Sequence, residues 1–168
     1  MHSPSSSVGV DATRGALGGV VATIVMSVLM LVGKRAGLMP EHPPKKIARA
    51  AMAAGGDSPD ERQTGPLASA LHLGFGVSAG VAFGLIHRLM SPIVPPSLTG
   101  VLFALAVWAV SYLGWMPALG IIPRADRDVP GRAVVLIAAH VVYGAVLGTV
   151  VGRDPARRVQ AGERPTVS

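Results

Sequence analysis

Residues 72–84, HLGFGVSAGVAFG, and residues 140–152, HVVYGAVLGTVVG, are two copies of one pattern. In each, a histidine leads to an aromatic residue and then to glycines four apart. His72, Phe75, Gly76, Gly80 and Gly84 are answered by His140, Tyr143, Gly144, Gly148 and Gly152. Neither copy contains Asp, Glu, Lys or Arg. Residues four apart share a helix face. A row of glycines there lets a second backbone approach closely, which is how helices pack inside lipid. Each histidine stands four residues before the first glycine and so begins the same ridge. The pattern predicts an all-α membrane protein whose second half echoes its first.

Working outward, four stretches without Asp, Glu, Lys or Arg are long enough to cross a bilayer: 15–33, 65–86, 97–116 and 133–152. Each supplies the roughly 20 residues that a hydrocarbon core of about 30 Å requires. The first has a small-residue ridge of its own in Gly15, Gly19, Thr23 and Ser27. The third is bulkier, with Gly100 and Ala104 giving way to Trp108 and Tyr112 on the same face, and Trp115 and Pro117 at its exit. Half the residues are hydrophobic and only 14% are charged, against about 25% in an ordinary soluble domain. The 31 residues of Lys34–Thr64 form the longest loop, too short for a soluble domain. The expected organisation is a tail over 1–14, a four-span membrane domain over 15–152 and a second disordered tail over 153–168. The first apolar run ends in Lys34-Arg35 without a small-residue cleavage site, so it reads as a retained span.

The echo extends to the loops. Gly37-Leu38-Met39-Pro40 follows the first span, and Gly120-Ile121-Ile122-Pro123 follows the third. Each half crosses twice, so the halves point the same way. They form two helical hairpins in parallel repeat, related by an approximate two-fold axis along the membrane normal. In the first loop, Pro43-Pro44 opens and Gly55-Gly56 closes a helix signature. Its cations and its Ile/Ala face suit either the headgroup layer or plain solvent. Asp60 or Ser58 is a candidate cap for the second span.

A net charge of +6 does not indicate nucleic acid binding. The basic residues are spread over loops and tails, with no aromatic interleaving. Beside membrane spans such charges set topology and meet anionic headgroups. Nine Lys and Arg in 34–64 and 117–132, against six elsewhere, would place the larger loops in the cytoplasm. The absence of cysteine removes disulfides and Cys-ligated metal centres.

His72 and His140 are the residues with chemical capacity inside the spans, each about eight residues deep, or roughly 12 Å along a helix. Trp108, mid-span, needs a partner for its indole N–H. Three readings stay open. The histidines bond neighbouring backbone, Trp108 or Tyr143 and serve packing. Alternatively they hold a haem iron or a transition metal. In the third reading their protonation switches helix packing, since imidazole titrates nearest physiological pH. No carboxylate lies inside a span and no internal proline breaks one, which argues against ion-coupled transport. Ser27, Ser69, Ser78, Ser111, Thr23 and Thr149 read as small interface residues rather than nucleophiles. Phe75 and Tyr143 are expected to fill the groove beside each glycine ridge. No catalytic activity is expected.

Pro43-Pro44 with the basic residues behind it, His72 with Phe75-Gly76, Trp108 and His140 together make the chain resemble the YagU-like group of small bacterial inner-membrane proteins. The resemblance spans about residues 15–152. It implies a multi-pass inner-membrane protein of loosely defined activity, associated in one branch with acid tolerance. The glycine ridges are denser here, and the third span and its exit loop depart from that pattern. The expected partners are the lipid bilayer, with the ridges closing either within one chain, across a homodimer or onto another membrane protein.

Overall fold

The computed structural model describes residues 4–39, 41–58, 60–87 and 94–153. The 154–168 part of the C-terminal tail, Pro40 of the first loop motif, and Arg88 lie outside the described residues. The elements are α1 (Pro4–Arg35), α2 (Pro43–Ala54), α3 (Glu61–His87), α4 (Pro96–Ala118) and α5 (Pro130–Gly152). A short 3-10 turn, Ala125–Arg127, precedes α5. The fold is all-α. Four helices are long and apolar enough to span, over Val8–Arg35, α3, α4 and α5, with 28, 27, 23 and 23 residues. At about 1.5 Å per residue each exceeds a hydrocarbon core of about 30 Å. The chain is a multi-pass integral membrane protein.

Two differences from the sequence expectation concern the helices themselves. Residues 4–14, expected in a tail, are the first turns of α1. Of these, the 11–14 turn packs on the partner ridge: Gly84 lies against the Asp11 carbonyl, and a Cβ there would stand 3.1 Å from Gly15 Cα. The second difference is in α4, which is π-helical over Val110–Trp115. Pro117 stands two residues beyond it, with no N–H to donate and with its ring crowding the Leu113 carbonyl inside the π turn.

The glycine ridges close within the chain. α1 and α3 meet through Gly15 and Gly19 on one side and Gly76, Gly80 and Gly84 on the other. A Cβ on Gly19 would stand 2.6 Å from the Gly76 carbonyl oxygen, and one on Gly80 only 2.8 Å from Gly19 Cα. α4 and α5 repeat the contact. A Cβ on Gly144 would lie 2.6 Å from Val101 Cα, one on Gly148 2.9 Å from Ser97 Cα, and one on Gly152 2.5 Å from Pro96 Cγ. Backbone meets backbone at each crossing, so dispersion replaces the hydrophobic drive that lipid cannot supply. Along α1 the hydroxyls are absorbed locally: Thr23 donates to the Gly19 carbonyl at 2.6 Å and Ser27 to the Thr23 carbonyl at 2.7 Å.

The loop echo is the same motif twice. Gly37 (φ 73°) and Gly120 (φ 68°) both take the left-handed conformation that ends a helix. The Gly37 N–H donates to Lys34 O and the Leu38 N–H to Gly33 O, each at 3.0 Å. In α4 the matching bonds run from Gly120 to Pro117 at 3.1 Å and from Ile121 to Met116 at 2.9 Å. Each motif then buries one apolar side chain, Met39 or Ile122.

The first loop additionally carries α2, which docks on α3 and buries Pro43, Ala48 and Met52. Arg49 bridges Glu41, at 2.6 Å, and Glu61, while Lys45 reaches Glu61 at 3.5 Å. The buried face of α2 lies on protein, and the headgroup or solvent setting concerns its other face. The Asp60 carboxylate caps α3, accepting the Arg62 N–H at 3.0 Å.

The two halves dock unequally. α1 packs along α5, with Gly33 against Val135, and the turn after α1 sets its Leu38 carbonyl against Gly131. The symmetry-related pair, α3 and α4, scarcely touches. Its ring contact is Phe83 on Phe103, centroids 5.3 Å apart. From there the two helices leave a wedge open to the bundle surface.

Candidate intramembrane cavity

The wedge is a cavity of about 420 Å³, within the range of small-molecule sites. α3 contributes its 70–79 segment, α4 its 104–116 segment, α1 Thr23, Met26 and Met30, and α5 Leu136, His140 and Tyr143. Pro43, Pro44 and Ile47 of α2 close one end. The four side chains singled out by sequence, His72, Trp108, His140 and Tyr143, all line this one space. Spacing along the chain could not show that they meet, because helix order around a bundle is not written in it.

Their partners differ. His140 Nδ1 stands 2.7 Å from the Leu136 carbonyl. A carbonyl only accepts, so Nδ1 carries the proton and Nε2 is an acceptor in the neutral ring. His72 Nε2 is buried without a hydrogen-bond partner, and so is Trp108 Nε1. The Trp108 indole stacks on the Tyr112 ring, centroids 5.6 Å apart and planes 16° from parallel. Tyr143 donates to the Gly76 carbonyl at 2.6 Å, tying α5 to the ridge of the other half. Phe75, the repeat equivalent of Tyr143, behaves differently. It is 50% exposed and lines the cavity instead of filling a ridge groove. It has no hydroxyl to donate to the Gly144 carbonyl, the repeat equivalent of the Gly76 carbonyl that Tyr143 meets.

Behind Tyr112 lies a cluster that the sequence reading missed. The Tyr112 hydroxyl donates to Asp128 Oδ2 at 3.0 Å, and Asp128 Oδ1 accepts from Arg132 at 2.5 Å and from the Val129 N–H at 2.8 Å. Both charged side chains are 3% exposed. The available signal was Asp128 before Val129-Pro130, an acidic residue two positions ahead of a helix-opening proline, with Arg132 one turn on.

Asp, Glu, Lys and Arg are absent from the lining. Among the described residues no group of three or more His, Cys, Asp or Glu is placed to hold a metal ion, so a metal at His72 and His140 would draw on two imidazoles. Outside the spans, His42 at the start of α2 is held below its ordinary imidazole value, chiefly by burial and then by Lys34 and Lys45.

A family model described as a family of unknown function, DUF6789, matches residues 10–161. The chain belongs to that family. In this DUF6789 member the match takes in all four spanning helices, the cavity and the Asp128–Arg132 cluster. No curated protein and no solved structure shows significant similarity to the chain.

Proposed function

We propose that this is a non-enzymatic protein of a bacterial inner membrane whose bundle responds to acid through His72 and His140. The observation that carries the reading is the convergence of the two histidines, one from each half, on a single uncharged cavity. A proton on either imidazole puts a positive charge on a wall with no counter-ion. The titratable groups sharing that wall are Tyr112 and Tyr143, and α1 contributes only Thr23 and two methionines. The carboxylate bonded to the wall residue Tyr112, Asp128, is already engaged by Arg132 as well. The α3–α4 seam has few contacts to hold it closed against the new charge. The resemblance to the YagU-like group points to the same kind of role, in stress or acid tolerance.

Trp108 and Trp115 both line the cavity and report on it. Acidifying the detergent-solubilised protein from pH 8 to pH 5 should quench their emission reversibly. The change should shrink in His72→Gln and vanish in the double variant with His140→Gln. A pH-independent spectrum, or one unaffected by both substitutions, would overturn the proposal. The convergence also favours a second reading, a haem or metal held by the pair. A Soret band or stoichiometric metal in purified protein, lost in His72→Ala or His140→Ala, would decide for it.

A further inference from the structure

We infer that the cavity between α3 and α4 binds a neutral, flat, carbonyl-bearing lipid of the isoprenoid-quinone class, hydrogen-bonded by Trp108 and His72. The inference rests on the reading of this cavity as the working site and adds what occupies it. An indole N–H only donates, so the partner Trp108 Nε1 lacks is an acceptor. A donor left buried and unmet keeps its full desolvation penalty, which an acceptor in the cavity would relieve. His72 Nε2, also buried without a partner, offers a second donor in one tautomer. Two donors in an apolar space call for a ligand with two acceptors and little else that is polar.

Charge narrows the class. With no Lys or Arg on the wall, a fatty acid carboxylate or a phospholipid phosphate would enter desolvated and without a counter-ion. A quinone carries none. Shape narrows it further. The chain has three Phe, two Trp and two Tyr, and five of these line the cavity: Phe75, Trp108, Tyr112, Trp115 and Tyr143. Aromatic walls favour a planar ring, which they meet by offset or edge-to-face contact. A space of about 420 Å³ holds a head ring and the start of a tail. The rest of the tail leaves through the α3–α4 seam past Leu71 and Phe75, which are 38% and 50% exposed. Such a ligand enters sideways from the bilayer, where it is dissolved.

The test uses the full chain in dodecyl maltoside with Trp115→Phe, so that Trp108 is the sole reporter. Titration with ubiquinone-2 should quench its emission saturably at one quinone per chain. His72→Phe should weaken binding about fivefold, the effect of one lost buried hydrogen bond. Trp108→Phe, read through Trp115, should do the same. Circular dichroism melts confirm that each variant folds, and His72→Gln, which keeps a donor, should retain most of the affinity. Quenching that rises linearly with quinone and is equal in all variants is partitioning into the micelle and overturns the proposal. So does a phospholipid or haem found by native mass spectrometry that ubiquinone-2 does not displace. The acid response, measured on the same samples without quinone, separates the two claims. Acid response without quinone binding rejects the ligand alone, whereas loss of both rejects the site.

Discussion

Replacing Gly80 with alanine tests the ridge that joins α1 to α3. The new methyl would stand 2.8 Å from Gly19 Cα and 3.0 Å from Gly19 N, and closer still to the Gly15 carbonyl oxygen. Carbon atoms rest at about 3.5–4.0 Å, so the helices must part by roughly 0.7–1 Å. A gap of about that size forfeits a quarter to a half of each neighbouring contact's well. Every atom in the way is backbone, which cannot swing aside. Overpacking of this kind costs about 1–3 kcal/mol, partly offset by alanine's helix preference of about 1 kcal/mol over glycine. Gly74, on the same helix, supplies the control, because a Cβ there meets nothing within 4 Å. Gly74→Ala should therefore be neutral or stabilising by up to about 1 kcal/mol. The assay is SDS titration of the protein in mixed micelles, followed by far-ultraviolet circular dichroism. Gly80→Ala should unfold at lower SDS than Gly74→Ala, with a difference of about 2 kcal/mol. Gly80→Leu should lower it further. Equal effects at the two positions would show that the ridge is not the contact that sets stability.

Three further outcomes follow from the hydrogen bonds and charges. Asp128→Asn should destabilise by about 3–5 kcal/mol, because it leaves the buried Arg132 cation without its partner. Adding Arg132→Met should recover much of that loss in the same SDS titration, and no recovery would argue against a buried ion pair. Tyr143→Phe removes the donor to Gly76 O (2.6 Å) and should cost about 1 kcal/mol, while Phe75→Tyr should leave stability nearly unchanged. For His42, the folded state favours the neutral ring, so the unfolded chain binds more protons and stability falls as pH drops through the ordinary imidazole range near 6.5. Amide hydrogen exchange in α2 should therefore quicken, once corrected for intrinsic rate, between pH 7.5 and 5.5. His42→Gln should abolish that component, and an unchanged α2 profile would contradict it.

Sequence was informative wherever a single helix sets the answer. The four spans show because lipid tolerates no unpaired charge along a crossing helix. The ridges show because glycines four apart fall on one face whatever that face meets. The loop echo shows because a left-handed helix end needs Gly37 and Gly120 in the same place. What was illegible depended on two helices at once. The docking of α2 turns on Arg49 finding Glu41 and Glu61, eight and twelve residues away. The Asp128–Arg132–Tyr112 cluster joins a loop to a helix sixteen residues earlier.

Membrane class, helix number and the faces that must pack were thus determined by the sequence itself, since burial in lipid acts on each segment separately. Which ridge meets which, and the closing of both within one chain, were decided by tertiary structure. So was the unequal docking of the halves, tight between α1 and α5 and open between α3 and α4. That asymmetry creates the cavity and brings His72, Trp108 and His140 to its walls. Its physical reason is that side-chain volume on facing helices, small at Gly33 and Gly131 and large at Trp108 and Tyr112, sets the distance between them.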